Sequence, residues 1–229
     1  MDFAVDPVER KLLAVRGASE MFPVQQIYCV GRNYADHAVE MGHDPNREAP
    51  FFFMKPAYSI LGDNQVMQYP AQSNDVHHEV EMVVALGDGG VNISVADAND
   101  CIFGYAVGID MTRRDLQAEA KEKGRPWESG KTFLHAAPCS SIVMRQESGF
   151  IDDAEITLSI NGVVKQKGNV NQMIWKIPEV INRLSALFYL QPGDLIYTGT
   201  PAGVGPIEVG DKIEAAVYGV GTLNITVEE

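Results

Sequence analysis

Residues 79–86 constrain the fold more than any other stretch, because they join two carboxylates to a continuous apolar run. The segment Glu-Val-Glu-Met-Val-Val-Ala-Leu is rich in β-branched and apolar residues and contains no helix breaker, which predicts a buried strand. Side chains alternate between the two faces of a strand, so Glu79 and Glu81 should project to the same side. Taken alone, this pair favours a solvated strand face, and the alternative is a pair of ligands for a divalent cation.

Composition and charge narrow the class of protein. A chain of 229 residues can bury a sizeable core, and a net charge of −13 argues against nucleic acid or an anionic membrane as partner. The three cysteines are widely spaced and form no Cys-x-x-Cys pair, so neither a disulfide framework nor a zinc site is expected. The N-terminus does not resemble a signal peptide, and no apolar run reaches membrane-spanning length. We therefore expect a cytoplasmic protein.

Strand-like segments outnumber helical ones and most connections are short, which predicts an α+β, strand-rich fold. Asn161 and Gly162 separate two apolar segments and predict a β-hairpin, since both residues tolerate positive φ. Residues 113–123 form a charged helical pattern, and residues 177–190 carry an apolar stripe at helical spacing. We expect residues 1–23 to form an N-terminal arm or cover, and residues 24–229 to form a single domain.

A third carboxylate, Asp110, strengthens the case that Glu79 and Glu81 bind a cation. Asp110 ends an apolar strand, where a lone carboxylate is more often a turn former. Together with Glu79 and Glu81 it supplies three strand-end carboxylates, which suit an octahedral hard cation such as Mg²⁺ or Mn²⁺. His77 and His78 could suggest zinc, but a carboxylate-rich set without cysteine favours the harder cations. The histidine pair is therefore expected to be structural or supporting.

Other polar residues are candidates for acid–base work and substrate binding. His37 and Glu40 stand three apart on a predicted helix, where a carboxylate can orient an imidazole that titrates near neutral pH; the alternative is an ordinary exposed pair. Lys131 lies between small and apolar residues and is either partly buried or a surface lysine. Arg114 and Gln117 share a helix face suited to a substrate carboxylate.

Several motifs stand in a fixed order along most of the chain. They are VGRNYADH at 30–37, FMKP at 53–56, HHEVE at 77–81, DMTRRDLQ at 110–117, PW at 126–127 with KTF at 131–133, and TGTPAGVGP at 198–206. With these motifs the chain resembles the fumarylacetoacetate hydrolase family from about residue 27 to the C-terminus. The resemblance implies a mixed β-sandwich roll of the fumarylacetoacetase C-terminal-domain type, usually dimeric, so residues 24–229 would form the catalytic domain and a homodimer is expected.

The resemblance also assigns roles to individual residues. It implies that Glu79, Glu81 and Asp110 bind Mg²⁺ or Mn²⁺, with Ca²⁺ as a non-physiological occupant. It implies that His37 and Glu40 form a water-activating dyad and that Lys131 assists at the reacting oxygen. The residues expected to contact substrate are Arg32, Lys55, Arg114, Gln117 and Thr200, together with Arg47 in a loop that could close as a lid. Either Arg114 or Arg47 would hold a distal carboxylate of the substrate.

The family resemblance implies more than one chemistry. Residues 40–53 are similar to bacterial members that cleave fumarylpyruvate, so the expected reaction is metal-dependent hydrolysis of a 2,4-dioxo acid, giving fumarate and pyruvate in the breakdown of gentisate and other aromatic compounds. Oxaloacetate decarboxylation, or an isomerase or hydratase step, is the alternative within the family. A catalytically silent metal-binding relative is the alternative of another class.

Overall fold

The two longest apolar segments of the chain, Val80–Leu86 and Ile102–Ile109, are adjacent antiparallel strands at the centre of the molecule. The computed structural model describes residues 3–35 and 48–229. Every residue of Val80–Leu86 is buried. A strand that is covered on both faces consists of a continuous apolar run, as this one does.

Within the described residues the chain forms eighteen strands, four α-helices and three short 3-10 turns. The strands are β1 (Leu12–Ala14), β2 (Met21–Pro23), β3 (Ile27–Gly31), β4 (Phe51–Lys55), β5 (Ile60–Leu61), β6 (Gln65–Gln68), β7 (Val76–His78), β8 (Val80–Leu86), β9 (Ile102–Ile109), β10 (Thr112–Arg113), β11 (Ala137–Pro138), β12 (Val143–Met144), β13 (Glu155–Ile160), β14 (Val163–Asn169), β15 (Leu195–Tyr197), β16 (Gly205–Pro206), β17 (Lys212–Val217) and β18 (Gly221–Glu228). The helices are α1 (Arg114–Glu122), α2 (Glu128–Lys131), α3 (Arg145–Ser148) and α4 (Ile177–Ser185). None of these helices combines the length and apolar character needed to cross a membrane.

Two sheets form the body of the fold. A six-stranded sheet has the order β12-β9-β8-β15-β3-β4, and a five-stranded sheet has the order β14-β13-β17-β18-β6. Neighbouring strands are antiparallel except for the pairs β15–β3 and β18–β6. Met82 and Val84 of β8 lie in one buried apolar cluster with Leu158 and Leu223 of the second sheet. The predicted α+β, strand-rich sandwich of mixed sheets is confirmed.

The other face of the six-stranded sheet is also covered. Val83 and Ala85 of β8 belong to a second buried cluster that includes Leu13 and Phe22. These two residues come from β1 and β2, which pair as a small antiparallel ribbon. Part of the predicted N-terminal arm therefore packs on the sheet, while the division of the chain at residue 23 stays a prediction.

The predicted continuous strand through residues 79–86 is interrupted. β7 pairs with β10 and β16 in a separate three-stranded sheet, whereas β8 pairs with β9 and β15. Glu79 lies where the chain passes from one sheet to the other. The expectation that Glu79 and Glu81 lie on one strand is therefore wrong, because Glu79 immediately precedes the strand that carries Glu81.

Two other sequence predictions have different outcomes. The Asn161-Gly162 hairpin is confirmed: both residues have positive φ, +52° and +79°, and they join β13 to β14. The helix predicted over residues 177–190 ends at Ser185. The chain must leave the helix because Leu190 forms an antiparallel bridge to Gly90, and Leu187 is consequently 67% exposed rather than part of the apolar stripe.

Asp194 is a fully buried carboxylate just before β15. Its Oδ2 accepts a hydrogen bond of 2.8 Å from the backbone N–H of Gln191. Burial raises the pKa of Asp194 from 3.8 to about 6, against the hydrogen bonds from Gln191 and Gln26, which lower it. The folded state therefore holds the proton of Asp194 more tightly than the unfolded chain does.

This proton makes stability depend on pH. Its contribution is fully present below the ordinary pKa of 3.8 and is lost as the pH rises through about 6. Asp194→Asn keeps an acceptor and removes the charge. The difference in free energy of unfolding, variant minus wild type, should therefore increase by roughly 2 kcal/mol as the pH rises from about 4 to about 7. Urea unfolding across this pH range measures the difference, and parallel profiles for the two proteins would contradict it.

Candidate active site

Three buried carboxylates meet where the central strands end. Glu81 is the second residue of β8 and pairs with Gly108 of β9, so the start of one strand lies beside the end of the other. Asp110 follows β9 directly, and its backbone N–H donates to the carbonyl of Glu79 at 2.8 Å. One oxygen from each of Glu79, Glu81 and Asp110 lies within 4.8 Å of the others. The chain therefore gathers the three carboxylates that the sequence predicted, although Glu79 reaches the site from the turn between two sheets.

Lys131, the last residue of α2, bridges two of these carboxylates. Its ammonium group donates to Glu79 Oε2 at 2.9 Å, Asp110 Oδ2 at 2.7 Å and Thr112 Oγ1 at 2.7 Å. Burial by itself lowers the pKa of Lys131, but Asp110 and Glu79 raise it, and the net result is a raised pKa. An ammonium group has three hydrogens, and all three have acceptors here. Lys131 can therefore donate to a reacting oxygen only if it gives up one of its three present hydrogen bonds.

Two further cations hold the same carboxylates from other sides. Arg114, the first residue of α1, donates through Nη2 to Glu79 Oε1 at 2.5 Å and through Nη1 to Gln117 Oε1 at 2.7 Å. Lys55, at the end of β4, is fully buried with its Nζ 2.7 Å from Asp110 Oδ1. Lys55 does not line the cavity described below, so its contact with substrate stays a prediction. What the geometry shows is that Lys55 fixes Asp110.

Glu81 differs from the other two carboxylates, because no ion pair among the described residues reaches it. Its Oε2 accepts a hydrogen bond of 2.7 Å from the backbone N–H of Gly199. Burial, followed by the charges of Asp110 and Glu79, raises the pKa of Glu81 well above its usual range. Gly199 has a φ of +98°, and a Cβ there would lie 2.7 Å from Asn33 Cβ, so only glycine brings this amide to Glu81 without strain.

The donor set fits a hard divalent cation. It consists of three carboxylates with no sulfur and no imidazole, and such oxygen ligands suit Mg²⁺ or Mn²⁺ better than zinc. Lys55, Lys131 and Arg114 offset the charge of Glu79 and Asp110, whereas Glu81 has no cationic partner among the described residues. A cation bound here would remove the repulsion that favours protonated Glu81.

A cavity opens on this cluster. The residues that line it are Val30, Gly31, Arg32, Phe51, Phe53, Glu79, Glu81, Asp110, Arg114, Gln117, Lys121, Trp127, Lys131 and Thr200. The structure thus brings together the predicted metal ligands, Lys131, and four of the predicted substrate-binding residues, Arg32, Arg114, Gln117 and Thr200. The sequence analysis gave no role in the site to Lys121 or Trp127, although Trp127 belongs to a quoted motif and the spacing of Lys121 from Arg114 and Gln117 puts it on their helix face. His37, Glu40 and Arg47 lie outside the described residues.

Gln166 is a further residue that the sequence did not single out. Its fully buried carboxamide accepts hydrogen bonds from His78 Nδ1 at 2.9 Å and from Val80 N at 3.0 Å. The amide group donates to Thr200 Oγ1 and to the carbonyl of Pro201, both at 2.8 Å. One side chain therefore fastens the segment around Glu79 to the Thr200 loop. It also explains His78, which supports this link and is not part of the carboxylate cluster.

Comparison with known proteins agrees with this geometry. A family model described as fumarylacetoacetate (FAA) hydrolase C-terminal matches residues 26–228. The chain belongs to the fumarylacetoacetate hydrolase family. Among solved structures, fumarylpyruvate hydrolase from Pseudomonas aeruginosa, crystallised in complex with Mn²⁺ and pyruvate, is similar with a TM-score of 0.97 and 43% identity, over 99% of each chain.

Curated relatives in this family include two with different named activities. A fumarylpyruvate hydrolase from a Ralstonia species is 43% identical over 184 residues, which is 80% of this chain and 95% of the relative. A mitochondrial oxaloacetate decarboxylase from Dictyostelium discoideum is 41% identical over 199 residues, which is 86% of this chain and 91% of the relative. Overall sequence similarity therefore identifies the family, but it does not distinguish between these two activities.

Replacing Gln166 tests the link that it forms. Gln166→Leu would leave four buried polar groups without their partner, so the free energy of unfolding should fall by about 2–4 kcal/mol. The exposed Gln68 at the end of β6 is the matched control, and Gln68→Leu should change stability by no more than about 0.5 kcal/mol. Chemical unfolding measures both values. Equal small effects for the two variants would mean that the buried amide does not hold the two segments together.

Proposed function

We propose that this protein is an enzyme that hydrolyses a carbon–carbon bond in a 2,4-dioxo acid, with fumarylpyruvate as substrate and fumarate and pyruvate as products. The observation that carries the proposal is the buried triad of Glu79, Glu81 and Asp110, whose oxygens lie within 4.8 Å of one another and face a cavity lined by cations. Similarity to the Pseudomonas aeruginosa and Ralstonia fumarylpyruvate hydrolases supports it.

The same three carboxylates would hold the cation, Mg²⁺ or Mn²⁺. The bound cation would polarise the 2-oxo acid and stabilise the negative charge that develops as the carbon–carbon bond breaks. Arg114 and Gln117 lie beside Glu79, in the cavity, where their polar groups can orient a substrate carboxylate. The Thr200 hydroxyl lies in the same cavity, in the position set by Gln166.

The remaining residues would move the protons. In hydrolysis, water adds to the C4 carbonyl, the C3–C4 bond breaks, and its electron pair stays with C3, which then takes up a proton to give pyruvate. On the family resemblance we assign the removal of the proton from water to His37, oriented by Glu40. Lys131 would stabilise the oxyanion on C4 once it releases one of its acceptors, a contribution of about 3 kcal/mol where such a donor is preorganised.

Oxaloacetate decarboxylation is the second candidate, and the similarity to the Dictyostelium discoideum decarboxylase favours it specifically. This reaction also leaves negative charge on C3 of pyruvate, but it releases carbon dioxide and needs no attacking water. The same carboxylates and cations would serve both reactions. The dyad of His37 and Glu40 is what hydrolysis requires in addition.

The same proposal includes the oligomeric state, the location and the pathway of the enzyme. The family resemblance supports a homodimer and a place in the degradation of aromatic compounds, and the three unpaired cysteines support a cytoplasmic location. None of these features changes the assignment of residues within the cavity.

A substrate panel tests the proposed function directly. With Mg²⁺ or Mn²⁺ present, we expect loss of the ultraviolet absorbance of fumarylpyruvate with release of pyruvate, and we expect chelation of the metal to abolish this activity. Maleylpyruvate, acetylpyruvate and oxaloacetate complete the panel. Turnover of oxaloacetate alone, with release of carbon dioxide, would overturn the hydrolase assignment in favour of the decarboxylase.

His37→Ala serves as the variant for this panel. Loss of the general base should lower kcat by about a hundredfold or more while binding of the metal is retained. Near wild-type hydrolysis by His37→Ala in metal-loaded protein would show that the dyad is wrongly assigned.

Stability measurements test the metal site separately from activity. In chelator-treated protein Glu81→Gln should be at least as stable as the wild type, because it removes a carboxyl group whose charged form is disfavoured by burial and by Asp110 and Glu79. Mg²⁺ or Mn²⁺ at about 100 times its Kd should stabilise the wild type by about 2.7 kcal/mol and the variant far less. Thermal unfolding measures both effects, with the exposed Glu119→Gln as control. An equal shift in Glu81→Gln would exclude this carboxylate as a ligand.

A further inference from the structure

Among the described residues, four cationic side chains line the cavity, and two of these, Lys131 and Arg114, have acidic partners. Lys131 is bonded to Glu79 and Asp110, and Arg114 to Glu79. Among the residues that the structure describes, Arg32 and Lys121 take part in no ion pair, although both line the cavity. Within the described part of the chain, two positive charges beside the carboxylate cluster are therefore available for a ligand.

Both of these cations rest on aromatic rings that contact each other. The Cζ atom of Arg32 lies 5.4 Å from the centroid of the Phe51 ring, and Nζ of Lys121 lies 4.9 Å from that of Trp127. The rings of Phe51 and Trp127 meet edge to face at 88°, with their centroids 5.1 Å apart. Arg32, Phe51, Trp127 and Lys121 thus form one cation–aromatic wall of the cavity, in which the rings hold the cations without neutralising them.

The backbone is shaped to maintain this wall. Arg32 has a φ of +59°, in the left-handed region that arginine rarely adopts. The preceding Gly31 pairs with Phe51 across β3 and β4, and a Cβ on Gly31 would lie 2.0 Å from the Phe51 ring. A strained arginine beside a glycine that leaves room for the Phe51 ring is typical of a functional site rather than of a solvated surface.

The charges within the wall repel one another. Lys121 is half-buried, and its pKa is lowered to about 8 by burial and by the neighbouring charges of Arg114 and Arg32. A carboxylate placed against Arg32 and Lys121 would relieve this repulsion. Arg114 is less suited to that task, because its two terminal nitrogens already donate to Glu79 and Gln117.

We propose that Lys121 and Arg32 form a carboxylate subsite that binds the far end of the acyl group, so that the enzyme selects 2,4-dioxo acids whose acyl part carries a second carboxylate. This inference rests on the proposed function and assigns the distal carboxylate to the cation–aromatic wall instead of Arg114 or Arg47. Lys121 is accordingly a specificity residue that contacts substrate and takes no part in proton transfer.

Paired substrates test the subsite in the metal-loaded protein. Lys121→Met removes the charge but retains a long side chain against Trp127, and Lys123→Met removes an exposed lysine that is paired with Glu119 at the end of the same helix. For Lys121→Met we expect kcat/KM toward fumarylpyruvate to fall about ten- to a hundredfold, mainly through KM. Toward acetylpyruvate, which lacks the second carboxylate, the change should stay within about twofold, as it should for Lys123→Met on both substrates.

Equal losses on the two substrates, or no loss on fumarylpyruvate, would overturn the subsite. Lys121→Arg, which retains the charge, should restore most of the preference for fumarylpyruvate.

A binding measurement separates this inference from the proposed function. In calorimetry, wild type should bind fumarate more tightly than crotonate, in which a methyl group replaces one carboxylate, and Lys121→Met should lose that preference. If wild type hydrolysed neither dioxo acid, the proposed function would fail, and the fumarate–crotonate comparison would still decide the subsite.

Discussion

Mutual repulsion among Glu79, Glu81 and Asp110 is the constraint on which the rest of the structure depends. Buried like charges are tolerated only where cations and hydrogen bonds offset them. Lys55, Arg114 and Lys131 do this, and they come from β4, α1 and α2 respectively. The charge cluster therefore fixes an edge strand and two helices onto the central sheet. Because each cation is positioned by a different element, the site forms only when the whole fold is in place.

The cavity divides its tasks between sheet and helices. Glu81 lies in β8 and Asp110 directly follows β9, and the backbone pairing of these two buried strands holds both positions. Four of the polar groups that line the cavity, Arg114, Gln117, Lys121 and Lys131, lie on α1 and α2. These helices are closely packed, since a Cβ on Gly130 of α2 would lie 2.8 Å from Gln117 Cβ of α1. The central strands position the candidate metal ligands, and a compact helical pair carries several of the groups that would contact the substrate.

Much of this arrangement could be predicted from the sequence, because the relevant patterns are local. The apolar run after Glu81 and the Asn161-Gly162 turn depend on neighbouring residues alone, and both predictions hold. The interruption at Glu79 and the end of α4 at Ser185 depend on pairing with distant segments, namely β16 and Gly90, which no local pattern reveals. For the same reason the sequence does not reveal Gln166, nor the burial of Lys55 against Asp110, although a family motif had marked Lys55 for another role. A lysine at a strand end and a glutamine in a polar strand look exposed until the residues that cover them are known.

The alternation along β8 has a consequence for how such a site can change. Glu81, Val83 and Ala85 face one side of the sheet, whereas Met82 and Val84 face the other. Insertion or deletion of one residue would send every side chain beyond it to the opposite face. A carboxylate would then enter the apolar core, and an apolar side chain would take the place of Glu81, a candidate metal ligand. A change of substrate is therefore expected from substitutions in the helices and loops around the cavity, whereas a change in the length of β8 would destroy the carboxylate cluster.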